Sequence, residues 1–337
     1  MATFWACVFV FAILILFHEF GHFIVAKIVG IKVHEFSLGF GPKMVGQTKN
    51  GTAYNLRLVP LGGYVRMAGM DPDEEAVEAG RGFNDKPVLQ RMAVIIAGPL
   101  MNFLLAALLL AIIFMFQGMP VSGTTVAGVL PGQPAEQAGI QAGDQIYSIS
   151  GEKVTNWEEI ITAISSRSGQ STDIIILRDN EQIELILVPV VGEEGRAIIG
   201  ISRIQKQNFI SALANGFKIT GQVVVLIMDF VGKMIVGSEP AELGGPVRMV
   251  YEIDQAVDNG FYNLLELAAF LSINLGLFNL FPIPALDGSR ILFLGFEILR
   301  GKPVDPLKEN FIHLVGFGLL LLLVLFVTYN DVLHVFK

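Results

Sequence analysis

The sequence predicts a polytopic α-helical membrane protein with four transmembrane helices, a β element between the first two, and an inserted α+β domain. Three observations lead to this fold class. The 337 residues are 53% hydrophobic and only 16% charged, with a mean hydropathy of +0.59, which is too apolar for a soluble domain of this size. Four segments have the roughly 20 apolar residues that a membrane span needs. Between the second and third of them, residues 120–202 have the polar composition of a soluble domain.

The first apolar run, residues 4–28, is predicted to be a retained transmembrane helix and not a cleavable signal peptide. It has no Lys or Arg before Lys27, and it carries His18, Glu19 and His22 where a signal peptide is uniformly apolar. A charged group at the centre of a membrane helix costs about 2.5 to 3.5 kcal/mol, so polar residues at that depth are expected to be functional.

Residues 30–91 follow the first span and are predicted to be cytoplasmic. They contain eight Lys or Arg residues, which by the positive-inside rule places the N-terminus of the chain outside. Two segments, 36–42 and 61–67, alternate apolar residues with turn-forming residues, as short strands joined by tight loops do. Residues 71–78 are predicted to form an acidic surface loop.

The other three spans are predicted near 92–117, 262–281 and 311–329. The second contains Gly98, Pro99 and Asn102, which a membrane helix tolerates when neighbouring helices satisfy the freed backbone groups. The predicted organisation is a first membrane half, a soluble domain, a linker region and a second membrane half, with bounds 1–118, 120–203, 207–260 and 261–337.

The soluble domain is predicted to contain four strands and a helix. The helix spans 157–165 and is capped by Thr155 or Asn156. The strands are expected at 126–130, 145–149, 173–177 and 183–188.

Residues 208–236 are apolar enough to form a fifth span, but their pattern favours an amphipathic helix at the membrane surface. The polar residues recur at intervals of three, four or seven positions and therefore share one stripe of a helix. The choice decides where the next span ends. With four spans, the span at 262–281 ends in the cytoplasm. If residues 208–236 also crossed the membrane, that span would end outside.

Charge and cysteine content exclude two classes of function. The net charge of -8 comes without a basic cluster or interleaved aromatic residues, so nucleic acid is not expected as a partner. The single cysteine, Cys7, supports neither a disulfide framework nor a cysteine-based metal site.

The pattern HEFGH at residues 18–22 indicates a metal site. His18 and His22 are one helical turn apart, so both imidazoles can reach one ion, and Glu19 beside them can contact a water there. The alternative is a pair of buried histidines that only form hydrogen bonds within a helix bundle.

A catalytic zinc usually has three protein ligands, and Asp287 is the best candidate for the third. It follows the third span, where Pro282 and Pro284 break the helix, and unwound backbone at membrane depth is expected only around a polar cavity. In the four-span arrangement it lies on the same side of the membrane as the histidines. The alternative is an Asp-Gly turn that leaves the membrane. His34 and Glu35 are less suitable ligands because they follow a turn at Gly30 too closely.

Together, the HEFGH pattern and the sequence NLFPIPALDG at residues 279–288 resemble the site-2 protease family of intramembrane zinc metalloproteases. Residues 83–92 (FNDKPVLQRM) and 97–103 (AGPLMNF) resemble its bacterial regulator-of-sigma-E protease branch. The resemblance implies one Zn²⁺ per chain on His18, His22 and Asp287, with Glu19 as the general base. It also implies regulated intramembrane proteolysis, in a bacterial inner membrane, of single-span proteins such as anti-sigma factors or signal-peptide remnants.

The glycine-rich strands resemble the membrane-associated β element of that family, which could bind an unwound substrate by strand addition. The residues concerned are Gly39, Gly41, Gly62, Gly63 and Tyr64. Their other interpretation is a cytoplasmic hairpin with turn glycines. Asn102 and Asn279 are expected either to hydrogen-bond the substrate backbone or to join helices.

The soluble module resembles a PDZ domain in the permuted order of bacterial proteases, through segments 129–140, 141–146 and 149–151. The resemblance implies that Ile198, Ile199, Gly200 and Ile201, in segment 196–201, belong to a loop that captures peptide termini. It also implies an extracytoplasmic location. Larger members of the branch have two such domains and this chain has one, so peptide binding and exclusion of bulky substrates are both open.

Two other functions fit the sequence less well than proteolysis. A non-proteolytic membrane scaffold with a structural metal has no use for Glu19, since a structural site needs no general base. A metal transporter requires facing polar residues along a path through the spans, and the sequence offers few.

Overall fold

The computed structural model describes residues 1–70, 79–192, 195–238 and 244–335, so the predicted acidic loop at 71–78 lies outside the described residues. The chain divides into two compact units. The first combines Met1–Ala111 with Leu213–Lys337, and the second is Ile112–Ala212. The second unit contains the whole segment that the sequence predicts to be a soluble domain.

Helices make up most of the first unit. Five of the described helices are long and apolar enough to cross a membrane. Four of them, at Ala2–Ile28, Val88–Gln117, Phe261–Leu280 and Pro306–Val335, coincide with the predicted spans. The fifth, at Phe209–Val236, is the predicted surface helix, so length and composition alone give one candidate more than the four predicted spans. The helices are α1 (Ala2–Ile28), α2 (Val88–Gln117), α3 (Pro134–Gln137), α4 (Trp157–Ser165), α5 (Phe209–Val236), α6 (Pro246–Asp258), α7 (Phe261–Leu280), α8 (Asp287–Arg300) and α9 (Pro306–Val335).

Glycines allow α1 and α7 to pack closely against α2. A Cβ at Gly21 of α1 would overlap the Ala97 carbonyl of α2, and a Cβ at Gly276 of α7 would lie 2.9 Å from the Pro99 carbonyl. Small residues at such crossings let helix backbones approach in an apolar environment. Helix α2 therefore lies against both helices that lead to the predicted metal ligands.

A long hairpin between α1 and α2 forms the β element, from β1 (Val33–Lys49) and β2 (Thr52–Met67). Its strands bend, so that residues 33–38 lie between two parts of β2. On one side, residues 33–38 of β1 pair with residues 63–67 of β2, in antiparallel order. On the other side, residues 35–38 of β1 pair with residues 53–56 of β2. Gly62, with φ of 118°, lies between the two parts of β2. Residues 63–67 thus form an edge of the hairpin.

A partly buried polar network joins these strands. The Glu35 carboxylate accepts hydrogen bonds from Ser37, Asn55 and Arg57, and Arg57 also donates to the Tyr64 hydroxyl at 2.7 Å. Burial by itself would raise the pKa of Glu35. These hydrogen bonds, above all the one from Arg57, have the larger effect and lower the pKa to about 2. Glu35 is therefore an ionised partner of Arg57 and is not placed to ligate a metal with the histidines of α1.

A small apolar core lies where the predicted cytoplasmic segment, residues 30–91, meets the helices. It brings residues of α1, the hairpin, α2 and α8 into one cluster, and Arg91 of α2 forms an ion pair with Glu297 of α8 beside it. The fully or nearly fully buried members are Ala26, Ile31, Val33, Met67, Phe83, Val94, Ile95 and Leu294. This cluster fixes α8, which carries Asp287, against α1 and α2.

The second unit is a small β-rich domain around its own core. A four-stranded sheet packs with α4, in the strand order β6 (Glu152–Lys153), β5 (Gln145–Ile149), β7 (Thr172–Arg178) and β8 (Glu181–Leu187). The N-terminus of α4 is capped by Asn156, whose side-chain oxygen accepts from the Glu159 N–H at 2.9 Å. The strands are β3 (Met119–Pro120), β4 (Gly128–Val129), β5 (Gln145–Ile149), β6 (Glu152–Lys153), β7 (Thr172–Arg178), β8 (Glu181–Leu187), β9 (Val190–Val191), β10 (Ala197–Ile198), β11 (Ile201–Ser202) and β12 (Ile204–Gln205).

The predictions for this domain are mostly confirmed. Helix α4 and strand β5 have the predicted bounds, and β7 and β8 differ from theirs by one or two residues. The predicted strand 126–130 is wrong in extent, since only Gly128 and Val129 pair as a strand. The Val126 N–H donates to the Asp144 carbonyl and the Leu130 N–H to the Gly200 carbonyl, so the segment changes partner along its length.

Candidate metal centre

Three side chains from distant parts of the sequence meet in the first unit. The Nε2 atoms of His18 and His22 are 3.2 Å apart, and Asp287 Oδ2 lies 3.2 Å from the first and 3.3 Å from the second. Asp287 is the first residue of α8, and both histidines lie in the C-terminal half of α1. The structure thus brings together the three ligands that the sequence predicts.

The loop that carries Asp287 is shaped by proline and by an unusual backbone conformation. Helix α7 ends at Leu280, immediately before the segment with Pro282 and Pro284, as predicted. Ala285 has a positive φ of 76°, which is uncommon for a residue with a Cβ. Its N–H donates to Nδ1 of His313 on α9 at 3.1 Å, so α9 holds the loop in this conformation.

Helix α2 orients both histidines through the ring nitrogen that does not face Asp287. His22 Nδ1 lies 2.8 Å from the Val94 carbonyl oxygen, and His18 Nδ1 lies 3.3 Å from Nδ2 of the fully buried Asn102. A Cβ at Gly98 would overlap the His22 ring. The glycine of the AGPLMNF segment therefore makes room for the imidazole.

The three side chains open onto a cavity of about 420 Å³. Glu19 lines the same cavity, and a Cβ on Gly63 would lie 3.2 Å from Glu19 Cγ, so the hairpin edge packs directly against the carboxylate side chain. The other lining residues come from the hairpin and its continuation, α2, α8 with the loop before it, and α9: Tyr64, Val65, Met67, Met70, Ile95, Ala285, Leu286, Arg290, His313 and Phe317.

The donor set fits zinc. Zn²⁺ binds His nitrogen and carboxylate oxygen at about 2.0 to 2.2 Å in tetrahedral sites, which separates neighbouring ligand atoms by roughly 3.3 Å. The separations of 3.2 to 3.3 Å agree with this. Asp287 Oδ2 is also buried without a hydrogen-bond donor among the described residues. A cation would satisfy this oxygen.

The predicted substrate-binding residues of the hairpin lie at different distances from the cavity. Tyr64 lines it and Gly63 adjoins Glu19. A Cβ at Gly62 would overlap the ring of Phe40, and one at Gly39 would lie 2.5 Å from the Val59 carbonyl. The Gly41 carbonyl accepts from Arg57. The glycines therefore permit close approach within the hairpin, and Gly63 and Tyr64 border the site.

The remaining predicted binding residues are on α7 and in the second unit. Asn279 is half-buried near the end of α7. Ile198 belongs to β10 and Ile201 to β11. Between them, the carbonyls of Ile199 and Gly200 accept hydrogen bonds from the N–H groups of Ala135 and Leu130, within the domain itself.

The sequence did not indicate Val94, Arg290 or His313 as residues of the site. Val94 acts through its backbone carbonyl, which leaves no mark in the sequence. Arg290 lies one turn after Asp287 on α8, and His313 is an ionisable residue in a predicted span. The depth rule applied to His18 and His22 would also have selected His313.

Comparisons with known proteins place the chain in a family of peptidases. The model of Peptidase family M50 matches residues 6–323. The chain is 33% identical to the regulator of sigma-W protease RasP of Bacillus subtilis, with 98% of each chain covered, and 33% identical to the zinc metalloprotease RasP of Oceanobacillus iheyensis, with 100% of each covered. The PDZ domain of an SdrC-like protein from Listeria innocua is 31% identical over 24% of this chain and 91% of that one, with a TM-score of 0.22. The chain belongs to peptidase family M50.

Proposed function

We propose that this protein is an intramembrane zinc endopeptidase that cleaves transmembrane segments of single-span membrane proteins. The observation that carries the proposal is the convergence of His18, His22 and Asp287 in a cavity that also contains Glu19. The names of the relatives, zinc metalloproteases and a regulator of sigma-W protease, support the same chemistry.

His18, His22 and Asp287 would hold the zinc ion. When bound, zinc supplies Lewis acidity, which polarises a carbonyl group and acidifies water. Val94 and the tight packing around Gly98 keep the His22 ring in place. The His313 contact with Ala285 keeps the backbone before Asp287 in its conformation.

Glu19 would be the general base and then the general acid. Its carboxylate takes a proton from the attacking water and passes it to the leaving amine of the cleaved peptide. Its position beside Gly63, within the cavity, supports this role. No other carboxylate besides Glu19 and Asp287 is among the residues that line the cavity in the described part of the chain.

The hairpin edge at residues 63–67 would bind the substrate as an added strand. A peptide bond in a helix has its backbone groups paired internally, so the substrate must unwind before it reacts. An edge strand offers unpaired backbone groups to an extended chain, and this edge lies against Glu19. Gly62, Gly63 and Tyr64 are the proposed contacts, with Gly39 and Gly41 shaping the hairpin behind them and Asn279 as a further candidate.

The geometry of the site also supports four membrane spans with α5 on the surface. The histidines lie in the C-terminal half of α1, and Asp287 follows the C-terminal end of α7. Their meeting favours the same direction for the two helices. Since α2 returns between them, the chain must cross an even number of times between α2 and α7. If α5 crossed, only the 13-residue α6 would remain to cross back, and its length of about 20 Å is too short for a 30 Å hydrocarbon core.

In this arrangement the active site would face the cytoplasm, and the second unit would lie outside a bacterial inner membrane. The second unit would be a PDZ domain that captures peptide termini near Ile198 to Ile201 or excludes substrates with bulky outer domains. Anti-sigma factors and signal-peptide remnants are the proposed substrates.

Replacing Glu19 by Gln tests the proposed function. The Glu19→Gln protein should fold and bind one zinc per chain, but it should cleave a purified model transmembrane substrate at least about a hundredfold more slowly, as expected for loss of a general base. The matched control is Glu266→Gln, the same change at an exposed position of α7, which should cleave normally. Cleavage at the wild-type rate by zinc-loaded Glu19→Gln would contradict the proposal.

A further inference from the structure

The two histidines differ in the partner of the ring nitrogen that faces α2. His22 Nδ1 lies 2.8 Å from a backbone carbonyl, that of Val94, which can only accept a hydrogen bond. The Nδ1 of neutral His22 must therefore carry the proton. Nε2 then keeps its lone pair and points toward His18 Nε2 and Asp287 Oδ2, as a metal ligand must.

His18 needs the same tautomer, because its Nε2 lies equally close to the other two ligand atoms. Its Nδ1 must then be a donor as well and requires an acceptor. The polar side-chain atom closest to Nδ1 belongs to the Asn102 amide, at 3.3 Å, and is placed as Nδ2, also a donor. Two donors would face each other in this orientation.

The other orientation of the same amide resolves the conflict. Oxygen and nitrogen of an Asn amide have nearly the same shape, so a rotation of 180° about χ2 exchanges them without moving the neighbours. In the orientation of the structure, before this rotation, Asn102 Oδ1 is buried and has no hydrogen-bond partner in the described part of the chain. After rotation this oxygen accepts from His18 Nδ1–H.

We infer that Asn102 is a positioning residue whose side-chain oxygen accepts a hydrogen bond from His18 Nδ1–H and so fixes the tautomer and ring orientation of His18. The inference rests on the proposed zinc site. It makes one face of α2 the support for both histidines, with a backbone carbonyl behind His22 and an amide oxygen behind His18. Partners of this kind typically change metal affinity by 10- to 100-fold.

A role in helix packing alone does not account for the side chain. Asn102 does join α2 to α7, but it does so through its backbone carbonyl, which accepts from the Ser272 hydroxyl at 2.8 Å. Any residue at 102 would keep that bond. A fully buried amide costs free energy unless it has polar partners, and the polar group beside it is the His18 ring.

Two substitutions of nearly equal size separate the roles. Asn102→Leu removes the acceptor, whereas Asn102→Asp keeps an oxygen in either orientation, and a carboxylate is a common partner of a metal-bound histidine. Ser272→Ala is the control, since it alters the same helix contact without touching the amide. The measurements are zinc affinity in competition with a chelator and the visible absorption spectrum of the Co²⁺-substituted protein, with far-ultraviolet circular dichroism to monitor folding.

The expected result is a loss of zinc affinity of about 10- to 100-fold and an altered Co²⁺ spectrum for Asn102→Leu, with Asn102→Asp and Ser272→Ala near wild type. Wild-type affinity and spectrum in Asn102→Leu would overturn the inference. So would equal losses in Asn102→Leu and a folded Asn102→Asp, because the amide nitrogen would then be the important group. If Asn102→Leu fails to fold, Asn102→Ala, which also lacks the acceptor but is smaller, takes its place with the same expected loss of zinc affinity.

His18→Ala separates a failure of this inference from a failure of the proposed function. If His18→Ala loses zinc while Asn102→Leu retains it, the zinc site stands and only the role of Asn102 is wrong. If His18→Ala also retains one tightly bound zinc per chain, the proposed ligand set itself is wrong.

Discussion

At the scale of single residues, the site depends on glycines that leave room for the histidines as much as on the proposed ligands. Gly98 lies against the His22 imidazole, and Gly21, the residue before His22 on α1, lies against the Ala97 carbonyl. Both glycines are in helices, where glycine is destabilising by about 1 kcal/mol relative to alanine, so their presence is explained by close packing. The position of His22 is therefore set by the missing side chain opposite it.

Gly98→Ala should weaken metal binding even though it improves helix propensity. The new methyl group would overlap the His22 ring, which must rotate and lose its hydrogen bond to Val94. We expect zinc affinity to fall by about 10- to 100-fold, the range for disturbed partners of a metal-bound histidine. Chelator competition measures this loss.

The matched control is Gly318→Ala in α9, another apolar span, where nothing lies within 4 Å of the new Cβ. This variant should bind zinc like the wild type. Unchanged zinc affinity in Gly98→Ala, or an equal loss in both variants, would show that the packing at Gly98 does not set the position of His22.

The sequence identified the predicted ligands and the predicted general base better than the residues that support them. His18, Glu19, His22 and Asp287 are side chains whose chemistry and membrane depth are unusual, so a pattern reveals them. Val94 supports His22 through a carbonyl that every residue has. Arg290 and His313 became apparent only when the fold placed them around the cavity, and the amide contact of Asn102 only when it placed Asn102 behind His18.

At the scale of elements, α9 acts as a clamp on the loop between α7 and α8. His313 accepts the Ala285 N–H, and a Cβ at Gly316, one turn further along α9, would overlap Pro284. Because Ala285 has a positive φ, the loop is held in a conformation that costs free energy by itself. The position of Asp287 therefore depends on a helix far away in the sequence.

His313→Leu and His313→Asn should have different effects. Leucine leaves the Ala285 N–H without its acceptor, which costs about 1 to 3 kcal/mol and should lower kcat/KM for a transmembrane substrate by about tenfold or more. Asparagine places an oxygen close to the position of Nδ1 and should retain most of the activity. Equal losses of kcat/KM in the two variants would contradict the proposal that the His313 hydrogen bond holds the loop. Normal zinc affinity of His313→Asn would confirm that the loop is intact.

Helices were predicted more accurately than strands. The four predicted spans fall on α1, α2, α7 and α9, because about 20 apolar residues in a row are visible in the sequence. The hairpin was predicted only as short strands near 36–42 and 61–67, whereas β1 and β2 have 17 and 16 residues. Their pairing on both sides of residues 33–38 depends on contacts across the bend, which local patterns do not contain.

At the scale of the whole molecule, the number of crossings decides whether the site can form. The proposed arrangement keeps α5 at the surface, so that α1 and α7 run in the same direction and their C-terminal ends share one side. Length and composition count α5 among five possible spans. The polar stripe of α5 and the position of Asp287 favour the surface.

Cysteine labelling tests this arrangement. In a Cys7→Ala background, single cysteines at the exposed positions Lys206 and Ser238, before and at the end of α5, should both react with a membrane-impermeant maleimide added to spheroplasts. A spanning α5 would leave Ser238→Cys unlabelled. Glu181→Cys on β8 is the control expected outside, and Lys302→Cys between α8 and α9 is the control expected inside.

The central claim is that α1 and α8 together build one catalytic zinc site, and zinc analysis of the purified protein tests it most directly. The wild type should contain one tightly bound zinc per chain, and Asp287→Ala should lose it while keeping its helical content, because only two ligands remain. Stoichiometric, tightly bound zinc in Asp287→Ala would contradict both the ligand set and the arrangement of spans that brings Asp287 to the histidines.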